Sequence, residues 1–309
     1  MISRRNIRVK VMQTIYTLNT SEKDVKPGEP TKLLFNHFNQ SKELLIYVAY
    51  FLTEVAGYAE HDAYVRSSKH LPTKEDLHVN TKIAGNQLLW KIREDAAFKT
   101  ESAKSKPKQI LDKELVRKIY LQLVETPEYK KYIGSAERNT TDEKEIIEII
   151  FERLLLENEN FISHIEEHFI NWDDDSDLVV QTLRNFFQKP GTINFAEELG
   201  QDKTDFAKSL LTTVLEKNEH LEGFIIPKLK NWDRDRIAAL DMIIMKMGIA
   251  EFLYFETIPP KVTINEYIDI AKEYSTQQSG QFVNGILDNI HKDLVNSNKL
   301  HKRDFKKPA

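Results

Sequence analysis

The chain has 309 residues, of which 40% are hydrophobic, with 10 Gly, 10 Pro and no Cys. That is enough apolar material for one large or two ordinary domains, and the lack of cysteine excludes disulfides, thiolate metal sites and a cysteine nucleophile. The net charge of −4 conceals a split: residues 1–21 and 299–309 carry +4 each, which leaves −12 on residues 22–298.

An acidic body with basic ends is compatible with nucleic-acid contact at those ends only. A solvated terminus is the competing reading of the tail. No basic segment followed by an apolar core opens the chain, so no signal peptide is expected. The most apolar run, LLIYVAYFL at 44–52, ends at Thr53-Glu54. It falls far short of the roughly 20 residues that cross a bilayer. The expectation is a soluble, cytoplasmic protein. Few β-branched alternations and few glycines predict an all-α fold.

Residues 4–18 predict one amphipathic helix. Ile7, Val11, Ile15 and Leu18 lie within about 80° of one another, and Arg5, Arg8, Met12 and Tyr16 form an adjacent strip. Arginine in a first turn opposes the helix dipole and asks for another partner. Arginines beside an aromatic ring can neutralise phosphates while the ring stacks on a base. An ordinary helix start with exposed arginines is the alternative. Residues 19–30 read as a loop. A long helix is predicted over 31–66, around Leu34, Phe38, Leu45, Val48, Phe51, Leu52 and Val55. Another follows over 81–103, then a basic linker from Lys104 to Lys108. Helices are predicted near 111–125, 128–133 and 142–157, the last with Thr141 as its cap.

Asn171-Trp172-Asp173 and Asn231-Trp232-Asp233 mark either a decayed duplication or, the preferred reading, two similar helical corners, in which Asp caps the next helix and Trp packs the bend. The acidic run Asp173, Asp174, Asp175 and Asp177 lacks the glycine and glutamate of a calcium loop and reads as capping. A turn at 188–191 precedes helices over 203–217, 219–230 and 235–255. The last is so apolar that it is expected to be the central buried helix.

Residues 257–290 predict two more helices. The first starts after Pro259-Pro260, with Thr263 and Glu266 at the spacing of a capping box. The second carries Phe282, Val283, Ile286, Leu287 and Ile290, with Gly285 inside it. Glycine there costs about 1 kcal/mol against alanine, so a close backbone contact is expected. The nine histidines show no metal spacing, and there is no phosphate-loop, dinucleotide or nucleophile-elbow motif. No cofactor, metal or catalytic residue is expected. The chemistry points to binding rather than to an enzyme.

The stretches IPPKVTINEYIDIAK (258–272) and FVNGILDNI (282–290), with RRNIRVKVMQTIY (4–16) at the other end, resemble the NusB family of transcription antitermination factors. The resemblance implies a NusB-like helical bundle of two packed three-helix-type subdomains, formed by residues 1–20 and 203–296. Residues 25–200 would be an additional helical insertion and 297–309 a basic tail. It also implies binding of boxA-type single-stranded RNA together with NusE, a small-subunit ribosomal protein, within an RNA polymerase antitermination complex. Carried over by position, Arg4, Arg5, Arg8, Lys10, Tyr16, Tyr274, Gln278 and Phe282 are the RNA-binding residues. Asp241 is the partner-binding one. An RNA methyltransferase bearing such a domain would need the cysteine this chain lacks. A helical interaction scaffold, in which the insertion recruits another partner and RNA binding is minor, is the remaining alternative.

Overall fold

The computed structural model describes residues 2–21, 26–195, 200–229 and 237–303, and among them every regular element is helical. In chain order the helices are α1 Arg4–Thr20, α2 Glu29–Ser67, α3 Lys74–Leu77, α4 Gln87–Glu94, α5 Ala96–Ser105 and α6 Lys113–Glu125. Then come α7 Pro127–Gly134, α8 Thr140–Ile149, α9 Glu159–His168 and α10 Trp172–Gln188. Finally there are α11 Gln201–Glu216, α12 Asn218–Ile225, α13 Ala239–Tyr254, α14 Pro260–Tyr274 and α15 Ser279–Asn296. The chain divides into two compact units, one of Asn39–Glu198 and one of Ile2–Phe38 with Leu199–Ala309. Helix α2 contributes to both.

The unit 39–198 has its own core. The apolar run at 44–52 supplies Leu44, Tyr47, Val48, Phe51 and Leu52, which pack with Ile119, Ile147, Phe151, Phe161 and Leu183. This run is core helix, and no helix among the described residues is long and apolar enough to cross a membrane.

Polar residues set the breaks. The helix predicted over 81–103 is divided because Asn86 caps α4 and Asp95 caps α5, each side chain accepting backbone N–H groups. The cap of α8 is Asn139, whose side chain accepts from Asp142 N at 2.8 Å. Thr141 instead lies inside the helix. At the first N-W-D corner Trp172 is buried. The carboxylate of Asp175 accepts from Ser41 Oγ at 2.7 Å and Asn171 Nδ2 at 2.5 Å. Asn171, rather than an aspartate, occupies the cap, and it makes no side-chain bond to the helix backbone. The second corner, at 231–233, lies outside the described residues.

In the unit of 2–38 and 199–309, α13 is buried along nearly its whole length, as its composition predicted. Helices α1, α11, α14 and α15 pack around it. Two local expectations are corrected. Helix α14 starts at Pro260, so Thr263 sits one turn inside it and caps nothing. Its hydroxyl donates to Glu251 Oε2 at 3.0 Å instead. Gly285 is exposed, and a methyl group there would meet nothing within 4 Å. The tightly packed glycine is Gly248, where an added Cβ would lie 3.0 Å from both methyls of buried Leu287.

Candidate nucleic-acid interface

Helix α1 begins with a full capping box: Ser3 Oγ accepts from Asn6 N at 3.1 Å, and Asn6 Oδ1 accepts from Ser3 N at 3.2 Å. This satisfies the helix start without any acid in the first turn. The arginines therefore find their partners elsewhere. Arg5 donates to Asp269 at 3.3 Å and to Glu273 at 3.0 Å, two carboxylates one turn apart on α14. All three side chains stay about half exposed. Arg4 is exposed, with its guanidinium 5.5 Å from the centre of the Phe206 ring.

Arg8 departs from the expected strip. It is 2% exposed. Its Nε and Nη2 grip Glu251 at 2.7 and 3.2 Å, and its Nη1 reaches Glu266 at 3.3 Å. Glu251 is fully buried and also accepts from Thr263 Oγ1 at 3.0 Å and Tyr267 Oη at 2.8 Å. Burial opposes the charge of Arg8, but the hydrogen bond to Glu251 and the surrounding negative groups outweigh it and hold its pKa above the ordinary arginine value. Tyr267 is held far above the usual tyrosine range by burial and by the Glu251 carboxylate. Arg8 is thus part of a buried ion-pair network rather than an open cationic surface. Lys10 and Met12 are buried too, because α11 and α13 both pack on α1 and leave it no wide polar face over this stretch. Tyr16, 40% exposed, lies eleven residues beyond Arg5, roughly 16 Å along the axis.

The pairing of Arg5 with Glu273 brings the start of α1 to the end of α14, where the half-buried Tyr274 follows. Gln278 is exposed at the residue before α15. Phe282 is half-buried and packs against the core one turn later. Asp241 lies beneath this turn and not on the surface. It is buried, and its Oδ2 accepts from Ser279 Oγ at 2.8 Å. Its Oδ1 is buried with no hydrogen-bond partner among the described residues.

Residue-by-residue reasoning passed over Glu251, Asp269, Glu273 and Lys302. Glu251, a carboxylate in the apolar second half of α13, signals a buried cationic partner. Asp269 and Glu273 are an i, i+4 pair of like charges, which asks for a cation between them. Lys302, read as part of a basic tail, donates to the carbonyls of Glu251 and Phe255 at 2.8 Å each and so closes the end of α13. Burial pushes its pKa down to about 8.

Residues 162–292 match the model of the NusB family. The transcription antitermination protein NusB of Chloroherpeton thalassium (strain ATCC 35110 / GB-78) is 41% identical over 98 residues, 32% of this chain and 46% of that protein. That of Methylacidiphilum infernorum (isolate V4) is 46% identical over 95 residues, 31% of this chain and 66% of that protein. The Salinibacter ruber (strain DSM 13855 / M31) protein of the same name is 44% identical over 98 residues, 32% of this chain and 61% of that protein. The chain therefore spans about half to two thirds of the length of the curated relatives it matches. A solved structure, T. maritima NusB in form 2, is 30% identical and covers 36% of this chain and 75% of that one. Its TM-score of 0.30 is too low to support an argument from shape. The family match begins in α9 and excludes the arginines of α1. Through residues 162–292, with relatives 41–46% identical, this chain belongs to the NusB family.

Proposed function

We propose that the chain is an RNA-binding transcription antitermination factor that acts with NusE on boxA-type RNA in an RNA polymerase complex. The RNA-handling part is formed by residues 1–20 and 203–296, and the helical region 25–200 is an insertion. Arg4 and Arg5 supply the cations, and Tyr16, Tyr274, Gln278 and Phe282 supply rings and polar contacts. Asp241 acts from beneath the turn by fixing Ser279. Arg8 and Lys10 act indirectly, by seating α1.

The observation that carries this reading is the pairing of Arg5 with Asp269 and Glu273. It joins two motifs 264 and 268 residues apart beside the Tyr274–Gln278 turn. Single-stranded RNA is held by phosphate neutralisation and by stacking on aromatic rings. Exposed ion pairs contribute only about 0–1 kcal/mol, so a phosphate can displace either carboxylate from Arg5 at little cost. The same carboxylates compete with RNA, which makes binding by the isolated chain weak and strengthened by a basic partner.

The test is RNA affinity with and without NusE for the wild type and for Arg4→Ala/Arg5→Ala. Loss of binding with unchanged melting supports the reading, and equal affinity in all four measurements sinks it. The second reading, a scaffold whose insertion recruits another partner, draws on the apolar side chains of Tyr64, Val65, Leu71 and Leu77, all exposed in the unit 39–198. Unchanged RNA affinity in the arginine variant favours that reading.

A further inference from the structure

The segment Lys104 to Lys108, a linker by composition, is a folded corner in the structure. Lys106 closes α5 in the left-handed region with φ of 51°, and the buried Pro107 starts a 3-10 turn, Pro107–Gln109. This corner walls a cleft of about 600 Å³ whose other walls come from α2, α4 and α5. That volume is in the range of ligand sites, about 300–1,000 Å³. Four cations line the cleft, Arg93, Lys99, Lys106 and Lys108, against one carboxylate, Glu54. The concentration runs against the charge of residues 22–298, which are acidic overall.

Three features show a cleft shaped around its polar groups. Gly57 lies in the middle of α2, and a Cβ there would come within 2.5 Å of Arg93 Nη2. The missing side chain lets the guanidinium lie against the helix and donate to Thr53 O at 2.8 Å. The remaining donors of Arg93 have no acceptor among the described residues. Lys99 is engaged by Glu94 at 2.9 Å, whereas Lys106 and Lys108 have no ion-pair partner among the described residues. Ser102 Oγ, on the cleft wall, is buried and equally without a partner there. Glu54 lies beside the Tyr50 hydroxyl, whose pKa is pushed up to about 12 by burial first and then by the Glu54 carboxylate.

We infer that this cleft binds a compact phosphate-bearing ligand of nucleotide size, held through Arg93, Lys106 and Lys108. The guanidinium offers a planar fork and the two lysines offer mobile point charges, the combination that suits clustered phosphate oxygens. Ser102 can donate to a phosphate or accept from a hydroxyl, and Glu54 accepts from a sugar hydroxyl or an amino group. The site lies wholly within the unit 39–198 and is separate from the α1 and α14 residues assigned to RNA above. A free nucleotide and the 5′-phosphorylated end of an RNA present the same chemistry.

The test is calorimetric titration of the full chain with ADP and with inorganic pyrophosphate. Binding of both is expected, with affinity for ADP weakened at least tenfold in Lys106→Ser/Lys108→Ser. These are exposed positions whose replacement leaves circular dichroism and melting unchanged. Gly57→Ala, which displaces Arg93, is expected to weaken ADP binding as well. Arg4→Ala/Arg5→Ala is expected to leave it unchanged, which separates this site from the RNA surface. Displacement of ADP by a 5′-phosphorylated oligouridylate, but not by its unphosphorylated form, supports an RNA end as the ligand. Failure of both to displace it supports a free nucleotide. No binding of ADP or pyrophosphate, or binding that Lys106→Ser/Lys108→Ser leaves intact, overturns the proposal.

Discussion

Two arginines three residues apart have opposite roles. Arg8 and Glu251 are buried together, with further hydrogen bonds from Arg8 to Glu266 and to Glu251 from Thr263 and Tyr267. Breaking a buried pair by removing one member leaves an uncompensated charge and costs about 3–5 kcal/mol. Arg8→Ala should therefore lower stability by that amount in urea denaturation, while Arg5→Ala, on exposed pairs, should change it by less than about 1 kcal/mol. Equal effects would remove the distinction between anchoring and surface arginine. The glycines of the carboxy-terminal helices divide similarly. Gly285→Ala should stabilise by about 1 kcal/mol, since the position is helical and open. Gly248→Ala should destabilise by about 1–3 kcal/mol, because Leu287 is fully buried and cannot retreat. Thermal melts of the two variants should move in opposite directions.

At the level of elements, polar residues decide where helices stop, and burial decides what their side chains do. Helix α9 presents His164 to the Tyr47 hydroxyl of α2. Burial, and next the neighbouring His168, pull the pKa of His164 below its usual value. The sign follows from linkage. A histidine neutral in the fold binds fewer protons than the unfolded chain, so stability rises with pH up to about 6.5 and falls as pH drops below it. Wild-type protein should thus lose more stability between pH 7.5 and 5.5 than His164→Gln, as read from denaturation midpoints; parallel losses would refute the assignment. At the other end of the chain, Lys302 and Arg303 fold back onto α13 and Glu256. The described part of the basic tail is thereby used as a helix cap.

For the molecule as a whole, charge distribution would govern the proposed RNA binding. With Arg8 and Lys10 buried, Arg4 and Arg5 are the cations α1 offers to phosphates. The logarithm of RNA affinity should then fall with the logarithm of salt with a slope of about −1.4 for two phosphates. A slope near −2.8, the value for four, would mean that Arg8 and Lys10 open to the RNA after all. The net acidity of residues 22–298 works against RNA contact outside local cationic clusters.

Most of the helical layout was legible without coordinates, because apolar spacing at 3.6 residues reports a buried face directly. The breaks at Asn86 and Asp95 and the true cap at Asn139 were harder to read. Asparagine and aspartate either cap or lie on an exposed face with the same local pattern, and only the neighbouring backbone settles which. By itself, the sequence determined an all-α chain, a buried α13, and net positive charge at the two ends against a net acidic middle. The tertiary structure decided which arginine faces solvent, where Gly285 and Gly248 differ, and that a basic linker is the wall of a cleft. Burial and pairing arise between residues far apart in the chain, as between Arg8 and Glu251, and no local spacing encodes them.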